Sequence, residues 1–168
     1  GGIIMAIYYA DGSNSEVGRI IQVVTYARSS VFSTSSESWT DIGLSASITP
    51  KQSTSDILIY LTIYASSNDN HSQRLLRGSS VIEAGGSSGS RSQGFGGGFN
   101  CGNDADVGCW SGTFFDSPNT TSATTYKVQT ITGGGGSGYV YYGRDKSNGN
   151  NHQHTRSRQR ITLMEVAS

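Results

Sequence analysis

His152-Gln153-His154 is the sharpest candidate for chemistry in this chain. Imidazoles two residues apart point to the same side of a strand. Three copies around a threefold axis would then offer six imidazoles to one transition metal ion. The competing reading is a solvated polar loop running from Asp145 to Thr155. Asn103-Asp104-Ala105-Asp106 and Asn68-Asp69-Asn70 carry oxygens that calcium accepts, but neither has EF-hand spacing, and turn chemistry explains both. Arg156, Arg158 and Arg160 stand at i, i+2 and i+4. On a strand that starts this early they share a face and suit an anionic partner, such as a phosphorylated or sulfated glycan. Otherwise they are a solvated face or ion pairs across a subunit interface. Cys101 and Cys109 are the two cysteines, too few for a disulfide framework. A bridge between them would close a short loop and contribute on the order of 2 kcal/mol; the alternative is two free thiols.

Enzyme motifs are weak. Gly85-Gly86-Ser87-Ser88-Gly89 matches G-x-S-x-G in form, but a nucleophile elbow needs a strand, a sharp turn and a helix, and no helical period follows. The tract Gly133–Gly138 lacks the lysine of a phosphate loop and reads as a turn between strands. Twelve acidic residues are scattered through loops, and a glycosidase pair is defined by a spatial separation that spacing in sequence does not give. No catalytic residue is assigned.

The elements that would position these groups are strands. Leu44, Ala46 and Ile48 alternate with Ser45, Ser47 and Thr49; Ile57, Ile59, Leu61 and Ile63 alternate with Leu58, Tyr60, Thr62 and Tyr64. Period-two alternation puts one set on one face of a sheet. The polar break Pro50–Ser55 makes the two runs read as neighbouring strands of a half-buried sheet. Further strands are expected at Arg19–Tyr26, Val31–Thr34, Ser38–Ile42, Gln73–Arg77, Ser79–Glu83, Trp110–Phe115, Thr124–Thr132, Tyr139–Tyr142 and Arg160–Val166. Short strands in this number, roughly nine or ten once adjoining runs are merged, predict an all-β, jelly-roll-like antiparallel sandwich over residues 19–168, preceded by an arm over residues 1–18. Met5 could be a translation start, which leaves open whether residues 1–4 are native.

Composition narrows the function classes. Net charge is zero, so no global pull toward nucleic acid is expected. The longest apolar run, Ile3 to Ala10, is short of the roughly 20 residues of a membrane helix, so no membrane insertion is expected. Only 34% of residues are hydrophobic, which implies a thin core and a gain from oligomerisation.

Several blocks of the chain are similar to a family of bacteriophage structural proteins common in marine phages. They are Gly18-Arg19-Ile20-Ile21-Gln22-Val23-Val24; Thr40 to Pro50; Phe115-Asp116-Ser117-Pro118 with Thr121 to Val128; and Ile161-Thr162-Leu163-Met164-Glu165-Val166. They run in the family's order across most of residues 18–168. The resemblance implies a non-enzymatic virion protein, a tail-fibre or other structural component, with a trimeric knob of the C1q or tumour-necrosis-factor-like kind. It carries over no catalytic residues. Phage fibres with a G-x-H-x-H pattern also resemble the histidine pair, although Asn150 stands where the first glycine would be. A virion protein assembles in a reducing host cytoplasm, which favours free thiols at Cys101 and Cys109.

These readings converge on a homotrimer at the virion surface. Tyr60, Tyr64, Tyr141 and Met164 are the expected subunit interface. Arg91, Phe95, Phe99, Asp104 and Asp106 in one long Gly/Ser-rich loop, with Lys146, Asn148 and Asn151 in another, are the expected contacts to a host-surface polysaccharide. His152 and His154 are the expected ligands if a metal is bound at all; no other cofactor is expected. The arm around Ile3 to Tyr9 would add a strand to another virion protein. A capsid decoration protein and a secreted lectin-like domain are the alternatives.

Overall fold

The computed structural model describes residues 18–97, 103–133 and 138–168. Residues 1–17 of the arm, Phe99 and Cys101 lie outside the described residues. Among the described residues eleven strands follow in order: β1 Ile20–Arg28, β2 Phe32–Thr34, β3 Thr40–Ile48, β4 Asp56–Ser67, β5 His71–Arg77, β6 Ser80–Glu83, β7 Gly96–Gly97, β8 Gly108–Asp116, β9 Thr124–Thr132, β10 Val140–Tyr142 and β11 Gln159–Val166.

The principal strands pair as nested antiparallel ladders: β1 with β11, β3 with β9, β4 with β8, and β5 with β6. This is one long hairpin folded over on itself. The pairings β11 with β4 and β9 with β5 close it into two sheets. The first sheet is β1-β11-β4-β8, with β10 and β2 continuing beside the end of β4; the second is β3-β9-β5-β6, with β7 on the outer edge of β5. The chain is thus an all-β jelly-roll sandwich. Ile42, Leu44 and Ile48 from β3 share one core with Ile57, Ile59, Leu61 and Ile63 from β4 and with Tyr126, Tyr142, Ile161 and Leu163.

Two details correct the sequence reading. Strands β3 and β4 are not neighbours; they lie in opposite sheets. The segment between them is a crossover, pinned by the buried Glu165 carboxylate, which accepts hydrogen bonds from the Lys51 and Gln52 amides at 2.7 and 3.1 Å. Alternation reports which face is buried and is silent on which strand lies alongside. Second, the runs Ser38–Ile42 and 44–49 are one strand. Gly43 sits at φ +76 in a bulge between Asp41 and Ser45, under the Arg28 guanidinium. A glycine here bends the strand without ending it.

Polar clasps join the sheets. At one end Arg77 Nη1 donates to both Asp116 oxygens at 3.0 Å, and the Tyr126 hydroxyl donates to Asp116 Oδ2 at 2.7 Å. Burial first, and then the Asp116 charge, raise the Tyr126 pKa. Within the core the Tyr142 hydroxyl donates to Thr130 Oγ1 at 2.8 Å and accepts from Gln73 Nε2 at 3.2 Å.

Residues 84–97 look shapeless in sequence, yet the structure lays them down as a strap. Phe95 N donates to Gln73 O at 2.7 Å, and Gly96 and Gly97 pair with Gln73 and Ser72. A Cβ on Gly97, at φ +149, would stand 1.8 Å from the His71 carbonyl oxygen. We expect Gly97→Ala to detach the strap at a cost of about 1–3 kcal/mol. Hydrogen exchange at the Phe95 amide checks this; unchanged protection there would contradict it.

Candidate functional site

The first sheet carries a distinctive outer face. Cross-strand partners share a face, so the register places residues in rows. One row runs Val23, Met164, Leu58, Phe115 across all four principal strands. The next runs Thr25, Thr162, Tyr60, Thr113, and the third Ala27, Arg160, Thr62, Ser111. Beyond them Tyr64 stands opposite Cys109, and Tyr141 opposite Ser66. Tyr60, Tyr64, Tyr141 and Met164, the residues expected at a subunit interface, therefore all lie on one face of one sheet. The first row is wholly apolar, with Val23 57% and Phe115 67% exposed. Across the three rows Arg160 alone carries a formal charge. Sequence reasoning missed Val23, Leu58 and Phe115. Alternation marks Leu58 as opposite the isoleucines, but only the register sets the three side by side.

Cys109 is exposed on this face beside Tyr64, and the neighbouring thiol holds the Tyr64 hydroxyl above its ordinary pKa. Its expected partner Cys101 is not among the described residues.

The outer face of the second sheet is different. The Lys127 ammonium donates to Asp41 Oδ2 at 2.8 Å, Gln129 Nε2 to Asp41 Oδ1 at 2.7 Å, and Arg74 Nε and Nη2 to Gln129 Oε1 at 3.0 and 2.7 Å. Burial alone would raise the Asp41 carboxyl; hydrogen bonds from Lys127 and Gln129, with the charges of Lys127 and Arg74, outweigh it and hold the pKa below its ordinary value. Arg74 lies 4.2 Å over the Trp39 ring. Beside this pair opens a cleft of about 260 Å³ bordered by Arg91, Ser92 and Gln93 of the strap. Of the expected glycan contacts, Arg91 borders this cleft. Phe95 is half-buried. Its ring packs 5.4 Å from Trp110 and 5.2 Å from Phe114, closing the edge of the core. An aromatic in a glycine tract has no periodicity to reveal that role.

The two long loops meet. Ser147 N donates to Asp104 O at 3.0 Å, and Lys146 Nζ to Asp104 Oδ1 at 2.7 Å, which holds the Lys146 ammonium above its ordinary pKa. Asp104 and Lys146 thus satisfy one another, and such an exposed pair adds little stability. The Asp106 and Ala105 amides close a turn on Asn103. In the second loop the buried Asp145 carboxylate accepts from the amides of Asn148 (2.7 Å) and Thr155 (3.1 Å), with His154 Nδ1 at 3.1 Å. Burial would raise its pKa; these bonds overcome it and keep the carboxyl low. Asn148 adopts φ +53 in the turn, and Asn151 Oδ1 accepts from the Gln153 amide.

That turn corrects the metal geometry expected above. His152 and His154 are in a turn and not on a strand, so alternation does not align them: His152 is exposed, while the His154 ring is held on Asp145. Among the described residues no three His, Cys, Asp or Glu side chains gather in a way that could hold a metal ion. The arginine triplet is also divided. Strand β11 begins at Gln159, Arg156 makes an isolated bridge to Arg144, and Arg160 alone joins the sheet face. We expect Asp145→Ala to cost about 2–3 kcal/mol, since it removes the charged acceptor shared by two loop amides and the His154 ring. Denaturant titration, with faster exchange at Asn148 and Thr155, is the check. No protein-family model matches this chain, and a search of the curated proteins returns no match.

Proposed function

We propose that this chain is a non-enzymatic virion-surface protein, a homotrimeric tail-fibre tip or knob whose loops contact host-surface glycans. The observation that carries the reading is the apolar row Val23-Met164-Leu58-Phe115 on a sheet face that no other described residue covers, with Val23 and Phe115 exposed. Exposed apolar patches rimmed by polar residues mark interaction surfaces. The Thr and Tyr rows beside it make such a rim, and tyrosine gives large contact area with few rotamers to fix. The opposite outer face, with Asp41, Lys127 and Arg74, keeps the composition of a solvated surface.

Three copies are favoured by the resemblance of the chain's strand blocks to trimeric phage knobs. The same face on each copy would turn inward toward a threefold axis, leaving the charged sheet, its cleft and the loop ends outward. Light scattering tests this first. A particle three times 17.8 kDa is expected, and a mass of 17.8 kDa overturns the trimer. Antibody-gold labelling of intact particles tests the location: label on the tail is expected, and label spread over the head would replace the tip with a capsid decoration role.

A further inference from the structure

Resting on the glycan-contact reading, we propose that the cleft beside Trp39 and Arg74 binds one acidic sugar residue through its carboxylate or sulfate. The cleft of about 260 Å³ has room for a single pyranose ring. Among the described residues its lining holds two guanidinium groups, Arg74 and Arg91, and no carboxylate. Trp39, Val81 and Ala84 supply the apolar side, suited to the C–H face of a sugar, while Ser92 and Gln93 supply polar groups for its hydroxyls.

Arg74 is fixed before any ligand arrives. Two of its nitrogens are held by Gln129, which Asp41 holds in turn, and its plane lies over Trp39. Its remaining nitrogen, Nη1, has no protein acceptor among the described residues. Arg91 Nη1 donates to Ser88 Oγ at 2.6 Å, and no carboxylate among the described residues pairs with Arg91. A planar guanidinium matches the paired oxygens of a carboxylate or sulfate. Arg74 is anchored on the sheet and Arg91 is delivered by the strap, so the strap completes the site. The glycines that let it lie flat on β5 therefore carry a second purpose.

The test titrates the full chain, by protein-observed NMR, with methyl galacturonoside, galactose 6-sulfate, neutral methyl galactoside and inorganic sulfate. At least one acidic sugar is expected to bind about tenfold or more tighter than the neutral one. The stronger acidic ligand tells carboxylate from sulfate. Arg91→Gln, at an exposed position that does not support the fold, is expected to lower that affinity about tenfold. Lys51→Gln, at a cation outside the cleft lining, is expected to leave it unchanged. Equal binding of the neutral sugar, no binding of either acidic sugar, wild-type affinity in Arg91→Gln, or equal competition by inorganic sulfate would each overturn the site. Retention on immobilised neutral and acidic polysaccharides separates the two levels. Retention on neutral glycans with Arg91→Gln unaffected removes the cleft and keeps the glycan reading; retention on none removes both.

Discussion

Phe115→Glu is expected to convert a particle three times 17.8 kDa into a monomer of 17.8 kDa without loss of β structure. In the isolated protomer Phe115 is 67% exposed, so the substitution leaves the core intact. At a threefold contact the same position would place a carboxylate against the apolar row of a neighbour, and it would do so at every interface. An unpaired charge buried in this way costs several kcal/mol, enough to dissociate an assembly of small domains. Met164→Lys, in the same row on β11, is expected to act alike. Circular dichroism and scattering on one sample separate dissociation from misfolding. A folded variant that keeps the wild-type trimer mass would show that this face is not the interface.

The second large effect is acid sensitivity centred on His71. This residue opens β5, is almost wholly buried, and stands edge-on to Tyr142 with ring centroids 6.5 Å apart. Neither ring nitrogen has a hydrogen-bond partner of good geometry. Burial pushes its pKa down from 6.5 to about 4, against a smaller opposing pull from the Asp69 backbone. The unfolded chain therefore takes up a proton near pH 6.5 that the folded chain refuses until about pH 4. Stability is full above pH 6.5 and falls as pH drops through that window, by about 3 kcal/mol in total. The carboxyls of Asp41 and Asp145 are also held low, so the stability they add is kept across this window and is lost as pH falls through the ordinary carboxylate range and below it. Urea titrations at pH 7 and pH 4.5 measure the window. His71→Leu is expected to flatten it, and a slope unchanged by that substitution would assign the sensitivity elsewhere.

Both effects depend on neighbours that the sequence does not name. The alternation at 44–49 and 56–63 assigns the isoleucines to the core and Tyr60 and Tyr64 to the opposite face, because strand side chains alternate with period two whatever lies beside them. The strand count and turn residues are local in the same sense, which is why the all-β sandwich was legible. His71 shows the limit. It follows the polar turn Asn68-Asp69-Asn70 and carries no periodic signal of its own, yet Tyr142 packs against it and it is a buried ring. Phe95 and the glycines around it likewise read as loose chain, and became a strap only because β5 had an unpaired edge.

The sequence by itself determined the period of each strand, and hence which side chains face inward and that the chain forms two half-buried sheets. Tertiary structure decided which strands became neighbours. That choice set β3 and β4 in opposite sheets, aligned Val23, Met164, Leu58 and Phe115 into one row, and carried Trp39 and Arg74 to the strap bearing Arg91. The physical reason is range. Alternation is enforced by the covalent geometry of adjacent residues, whereas register and sheet order are fixed by burial shared among segments far apart in the chain.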